Sequence, residues 1–114
     1  MLLDLDFGDI SNIKRLSPLK EFDLNGLIIS IRLFYNLVDD CLYMNMYDSS
    51  DNVIANGIKL VPNVNFIAKL NYKFDRNFML FIASTNEKNN YSDVTVDNFG
   101  KDMVMMYAEN VESD

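Results

Sequence analysis

Histidine is absent from this sequence and cysteine occurs once. Without histidine the chain lacks the commonest general base, the commonest metal ligand and the usual partner of a serine or cysteine nucleophile. The single Cys41 cannot form an internal disulfide, which removes the class of small secreted scaffolds stapled by cystines. It follows Asp39 and Asp40, whose charge raises a thiol pKa instead of activating it. The four glycines stand alone, so no glycine-rich phosphate loop exists. No run approaches the roughly 20 apolar residues that span a bilayer. The first 15 residues carry no basic start followed by a long apolar core, so no signal peptide is expected. Synthesis in a reducing cytoplasm fits these absences. Basic residues are also scarce: 10 against 17 acids, for a net charge of −7. They are scattered singly, whereas a phosphate backbone or an anionic membrane requires them clustered. Neither specific nucleic-acid binding nor membrane insertion is expected.

What is present is hydrophobic material in short alternating runs. Apolar residues make up 49 % of the chain and charged residues 24 %, the balance of a folded domain and not of a disordered segment. A length of 114 residues suits one domain. Leu27 to Tyr35 places Ile29, Ile31, Leu33 and Tyr35 on one face at strand spacing. Leu42 to Tyr47 places Leu42, Met44 and Met46 opposite Tyr43, Asn45 and Tyr47. Turn-forming residues bound these runs at Asn25-Gly26, at Asn36 to Asp40 and at Asp48 to Asn52. Further strands are predicted from Glu21 to Asn25, from Val53 to Ala55 and from Ile58 to Val61. Asn56-Gly57 interrupts the latter pair, and Pro62 ends the strand or marks an edge. Ala68 to Tyr72 reads as a helical turn or a further strand. Phe78 to Ala83 is apolar on both faces, which predicts a central or well-covered strand. Glu87 to Asp93 reads as a loop, and a last strand runs from Lys101 to Tyr107 with Met103, Met105 and Tyr107 on one face.

No window shows a helical repeat of apolar positions. The expected fold is therefore all-β, a small antiparallel β-barrel or two-sheet sandwich with an N-terminal extension. Residues 1–15 read as an arm, 16–108 as a single β domain and 109–114 as a solvated acidic tail. Within the arm, Leu2, Leu3, Leu5 and Phe7 form an apolar stretch that suggests contact with a partner or addition to another sheet.

Few residue groups invite chemistry. Asp39, Asp40, Asp48 and Asp51 suggest a cation loop, but Asp48 to Asn52 lacks the glycine and the closing acid of a calcium loop, and turn capping accounts for it. With 17 acids some carboxylate pair can always be nominated for glycoside hydrolysis, so that pattern carries no signal. Met44, Met46, Met103 and Met105 repeat at strand spacing and read as core filling, not as ligands of a soft metal. No cofactor and no metal is expected. Tyr43, Tyr47 and Tyr72 leave open a carbohydrate- or peptide-binding module that uses surface aromatics.

The order of two segments carries more. Gly57-Ile58-Lys59-Leu60-Val61-Pro62-Asn63-Val64-Asn65 follows the strand pair Leu33-Phe34-Tyr35-Asn36 and Tyr43 to Asp48. After the run from Phe78 to Ala83 comes Asp97-Asn98-Phe99-Gly100, before the final strand. From Leu16 to Ala108 this order resembles the phage baseplate plug family of contractile-tailed phages. The family often carries a tryptophan in the second strand, where this chain has Tyr43. The resemblance implies a structural, non-enzymatic role in the virion tail baseplate, plugging or sealing the central tube and hub region. It further implies several copies in contact with hub, spike, tube or tube-initiator proteins. Gly57, Leu60, Pro62, Asn63, Asn65, Asp97 and Gly100 are then architectural: permissive backbone at the glycines, a strand stop at Pro62 and turn caps at the Asn and Asp side chains. Tyr43 and Tyr47 join Leu2, Leu3, Leu5 and Phe7 as candidate partner contacts.

Overall fold

The period-two runs become strands because each can bury one face while its backbone pairs on both sides. The computed structural model describes residues 2–70, 73–74, 76–84 and 93–109. Tyr72, most of the predicted loop (87–92) and most of the acidic tail (110–114) lie outside the described residues. Seven strands appear: β1 (Leu2–Leu5), β2 (Leu19–Leu24), β3 (Leu27–Asn36), β4 (Cys41–Asp48), β5 (Val53–Lys59), β6 (Met79–Ser84) and β7 (Met103–Ala108). They form two antiparallel sheets, ordered β2-β3-β4-β5 and β1-β7-β6. No α-helix occurs among the described residues, and the arrangement is a sandwich, not a closed barrel.

Local chemistry sets the first sheet. Leu24 pairs with Leu27 across a two-residue turn, in which Asn25 (φ 56°) and Gly26 (φ 94°) both take the left-handed region. That is the type I′ geometry, whose twist matches the flanking strands. Asp23 Oδ1 accepts the Gly26 N–H at 2.7 Å. At the β4–β5 turn, Asp48 Oδ1 accepts the N–H groups of Ser50 and Asn52, each at 2.9 Å. The Asp48 to Asn52 segment is a capped hairpin turn, and these bonds hold the Asp48 carboxyl below the usual carboxylate range, with Asn52 the largest cause.

The inner faces of the two sheets meet in one core. Ile29, Ile31 and Leu33 of β3 and Leu42, Met44 and Met46 of β4 are fully buried with Leu80 and Ile82 of β6 and Met103, Met105 and Tyr107 of β7. Flexible methionine side chains fill the space that branched residues leave, a role their unbranched thioethers suit.

Several boundaries differ from the sequence expectation. The first hairpin strand begins at Leu19 and stops at Leu24, because Asn25 belongs to the turn. Asn56-Gly57 does not interrupt its strand. The β4–β5 register slips between Met44 and Met46 and again between Met46 and Tyr47, so β5 absorbs extra residues as bulges and continues to Lys59. Ile58 to Val61 is accordingly not a separate strand. The apolar run after Phe78 is an edge in hydrogen-bond order, yet its outer edge is covered. Residues 66–70 form successive turns, closed by Leu70 N–H to Ile67 O at 2.8 Å and continued by Lys73 N–H to Leu70 O at 2.9 Å. The N-terminal segment joins the chain's own second sheet, with Leu2 opposite Ala108 and Leu5 opposite Met105.

Candidate functional site

The segment from Gly57 to Asn65 carries the chain from one sheet to the other. Gly57 sits at φ 66° within the bulged strand, and its N–H donates to Asn45 Oδ1 on β4 at 2.8 Å. The Asn45 side chain thus replaces a ladder partner that the register slip removed. Leu60 is fully buried and its N–H donates to Leu42 O at 2.9 Å. The strand has already ended at Lys59, so Pro62 is not its stop. Pro62 instead forms a parallel bridge to Ile82 on β6. Asn63 (φ 61°) donates its N–H to Ile82 O at 3.0 Å, and the Phe66 N–H donates to Leu80 O at 2.8 Å. Asn65 Oδ1 accepts both the Ile67 N–H at 3.0 Å and the Leu80 N–H at 3.2 Å. The outer edge of β6 is closed by this segment, which removes an edge otherwise open to aggregation.

The turn before β7 has its own polar key. Asn98 is 9 % exposed; its Oδ1 accepts the Thr95 N–H at 2.9 Å and its Nδ2 donates to Asp93 O at 3.0 Å. Its own carbonyl accepts from Lys101 and Met103. The cap is therefore Asn98, while the nominated Asp97 is exposed. An amide side chain presents both the donor and the acceptor this turn uses, whereas a carboxylate only accepts, which was the available signal for choosing Asn98 over Asp97. Gly100 takes φ 83° and donates its N–H to Met103 O at 2.6 Å. Phe99 is buried beside Phe7, ring centroids 5.7 Å apart, and Phe7 packs edge-on against Phe22 at 4.9 Å.

This packing corrects part of the candidate contact set. Leu5 and Phe7 are each 6 % exposed and belong to the chain's own core, because β1 directs Leu5 inward and Phe7 fills the space under the turn at Phe99. Leu3 packs against the core from its margin. Only Leu2, 63 % exposed, remains on the outside.

Tyr43 and Tyr47 lie on the outer face of the four-stranded sheet, separated by Asn45. The Tyr43 ring stacks on Phe34 at 5.7 Å and its hydroxyl donates to Asp39. Tyr35 donates likewise to Asp40. Hydrogen bonding to these carboxylates is the main reason both phenols titrate above their ordinary value, and the Tyr43 hydroxyl is the main reason Asp39 titrates below its own. Lys59 Nζ stands 3.6 Å from Asp39 and 3.9 Å from Asp93. Cys41 is buried, and burial first, then Asp93, pushes its thiol up, away from the nucleophilic thiolate. Tyr43 is thus occupied by internal partners, and among the described residues its ring contact is with Phe34.

The outer face of the other sheet is different. Cross-strand register aligns Leu2, Ala108 and Met79 in one row and Asp4, Met106 and Phe81 in the next, with Val104 and Ala83 beyond. Their neighbours in each strand point into the core, so these point away from it. Among the described residues this face carries one charge, Asp4. At its end a cleft of about 450 Å³ opens between the N-terminal segment and the Phe99-Gly100 turn, lined in part by Asp4, Asp6, Phe7, Phe99 and Val104. A second cleft of similar volume shares Gly8, Ile10, Phe99 and Gly100 with it and adds Asp9, Asp97 and Lys101.

The family model described as "Cyanophage baseplate Pam3 plug gp18" matches residues 12–110. No curated protein matches the chain.

Proposed function

The chain belongs to the cyanophage baseplate Pam3 plug gp18 family, and from that premise we propose that it is a non-enzymatic structural protein of a phage tail, sealing the central tube and hub region of the baseplate. It works in several copies and contacts hub, spike or tube proteins. The match over residues 12–110 supports this reading, since it takes in six of the seven strands, β2 to β7, and both turn segments. The chemistry of the surface agrees with it. The buried thiol is not activated, and the Tyr35–Asp40 and Tyr43–Asp39 pairs satisfy each other's polar groups. The net charge of −7 suits a lumen through which DNA passes without adhering.

The test is to locate the protein in intact tails. Electron cryomicroscopy of the phage, with the chain's density assigned at the tube–hub junction, is the expected result. Co-expression with the hub protein should give a stable complex. Density elsewhere in the virion, or absence from purified tails, overturns the proposal.

A further inference from the structure

The outer face of the β1-β7-β6 sheet is unfinished as a solvent surface. Leu2, Met79, Phe81, Val104 and Met106 face outward there, Leu2 and Met79 at 63 % and 45 % exposure and the other three half-buried. Antiparallel sheets that present one face to water alternate apolar-in with polar-out. The other sheet also turns Leu19, Ile28, Phe34 and Val53 outward but sets them among Glu21, Asp23, Arg32 and Lys59, whereas Asp4 is the one charge on this face among the described residues. The outward apolar side chains of this face adjoin one another, and polar groups border them at the rim.

Charge and area together select the occupant. The face runs into the clefts beside the Phe99-Gly100 turn, where Asp4 and Val104 belong to both face and cleft. The clefts are rimmed by four carboxylates, Asp4, Asp6, Asp9 and Asp97, against two lysines, Lys101 and Lys20, whose Nζ stands close to Gly8 in the lining. Asp6 and Asp9 also accept local N–H groups, from Gly8 at 2.7 Å and Ser11 at 2.9 Å, which fixes them in place as the rim of the site. A second copy would bring these acids against one another. Three strands and the residues from Val104 to Ala108 span roughly 10 by 14 Å at standard strand spacing and rise. That is far below the ~800 Å² per partner of a stable interface between whole subunits. A short segment of another protein fits this footprint, and one carrying lysine or arginine fits the rim.

We propose that this face and its adjoining cleft dock a short segment of a neighbouring protein, with apolar side chains on the sheet and Lys or Arg against Asp4, Asp6, Asp9 and Asp97. The proposal rests on the reading of the chain as part of a larger assembly. It names the surface and the chemistry of the contact.

A short synthetic peptide with one leucine face and one lysine face is the probe, titrated into the isotope-labelled full chain and read by amide shifts. Saturable shifts at residues 2–8 and 99–108 are expected. The affinity should fall about tenfold or more for the same peptide with glutamate in place of lysine, and by a similar factor on raising the salt. Met106→Lys on the sheet should abolish the shifts. The double change Asp4→Lys with Asp97→Lys alters only exposed rim residues and should reverse the preference toward the glutamate peptide. Shifts confined to the polar sheet, equal binding of both peptides, or binding indifferent to both variants overturns the proposal. So does a dimer of the free chain that Met106→Lys dissolves, because the occupant is then a second copy. If the chain resides in the baseplate yet the peptide ignores this face, the surface assignment fails while the baseplate role stands. If the peptide binds here and the chain is absent from tails, the reverse holds.

Discussion

The two sheets share a core but present opposite outer faces. On the four-stranded sheet, cross-strand rows read Asp23 with Ile28, then Glu21 with Ser30, Tyr47 and Val53, then Leu19 with Arg32 and Asn45, then Phe34 with Tyr43 and Lys59. Nearly every row holds a charge, an amide or a hydroxyl, and the aromatic rings are tied to carboxylates or to each other. On the three-stranded sheet the rows hold leucine, methionine, phenylalanine, valine and alanine, with Asp4 at the rim. Equal burial on the inside therefore coexists with unequal treatment of the outside. One outer face is polar and charged in nearly every row, and the other is apolar apart from Asp4.

Substitution at adjacent residues of β6 tests that contrast most severely. Leu80 is fully buried, and Leu80→Ala should cost roughly 2–5 kcal/mol in chemical denaturation through the cavity it leaves. Met79, its neighbour, points outward, and Met79→Ala should stay within about 0.5 kcal/mol. Comparable losses at both would mean that the outer face is packed within the monomer.

Alkaline pH acts next, at the end of β7. The Tyr107 ring is fully buried and its hydroxyl donates to Glu109, and burial first, then that bond, raises its pKa from 10 to about 12. Arg76 pairs with Glu109 at 3.3 Å and donates to Asn25 O at 2.6 Å, which ties this end of β7 to the first hairpin. A folded-state pKa above the unfolded value means that the native state holds its proton longer. Stability is then complete below pH 10 and declines as pH rises toward 12, by an amount on the order of 2 kcal/mol. Tyr107→Phe should flatten that decline in denaturation series across this range, with a wild-type slope in the variant counting against the assignment.

A smaller effect sharpens the comparison at the turn leading into β7. Asn98→Ala removes two bonds from a buried site and should destabilise by about 1–3 kcal/mol at most. Asp97→Ala beside it should be near neutral. The smallest effect concerns the surfaces themselves. Phe81→Lys should reduce binding of a hydrophobic dye to the native protein, whereas Tyr47→Lys should leave it unchanged.

Much of the fold was legible before the structure. The alternation in Leu27 to Tyr35 and Leu42 to Tyr47 identified which face of each strand is buried, because a two-residue period leaves no third choice. Turn chemistry at Asn25-Gly26, at Asn36 to Asp40 and at Asp48 to Asn52 located the three hairpins of the first sheet. The bulge at Gly57 was read as a break, since a glycine in a strand signals either, and only the Asn45 side chain twelve residues away decides between them. The arm was misjudged at Leu5 and Phe7 for a related reason. Their partners, Met105 and Phe99, lie at the far end of the chain. The candidate site was less legible than the fold: Asn98 was hidden beside an equally polar Asp97, and the apolar outer face looked like ordinary core pattern.

By itself the sequence determined the all-β class, the inner faces of its hairpins and the absence of a histidine-based site, because these follow from period, turn residues and composition. Tertiary structure alone decided which strands are neighbours across the chain. It placed β1 against β7, laid Pro62 to Phe66 along the edge of β6, and left Phe81 and Met106 facing outward. Local pattern states that a residue wants burial. Only the partner supplied by a distant segment determines whether the folded chain grants it.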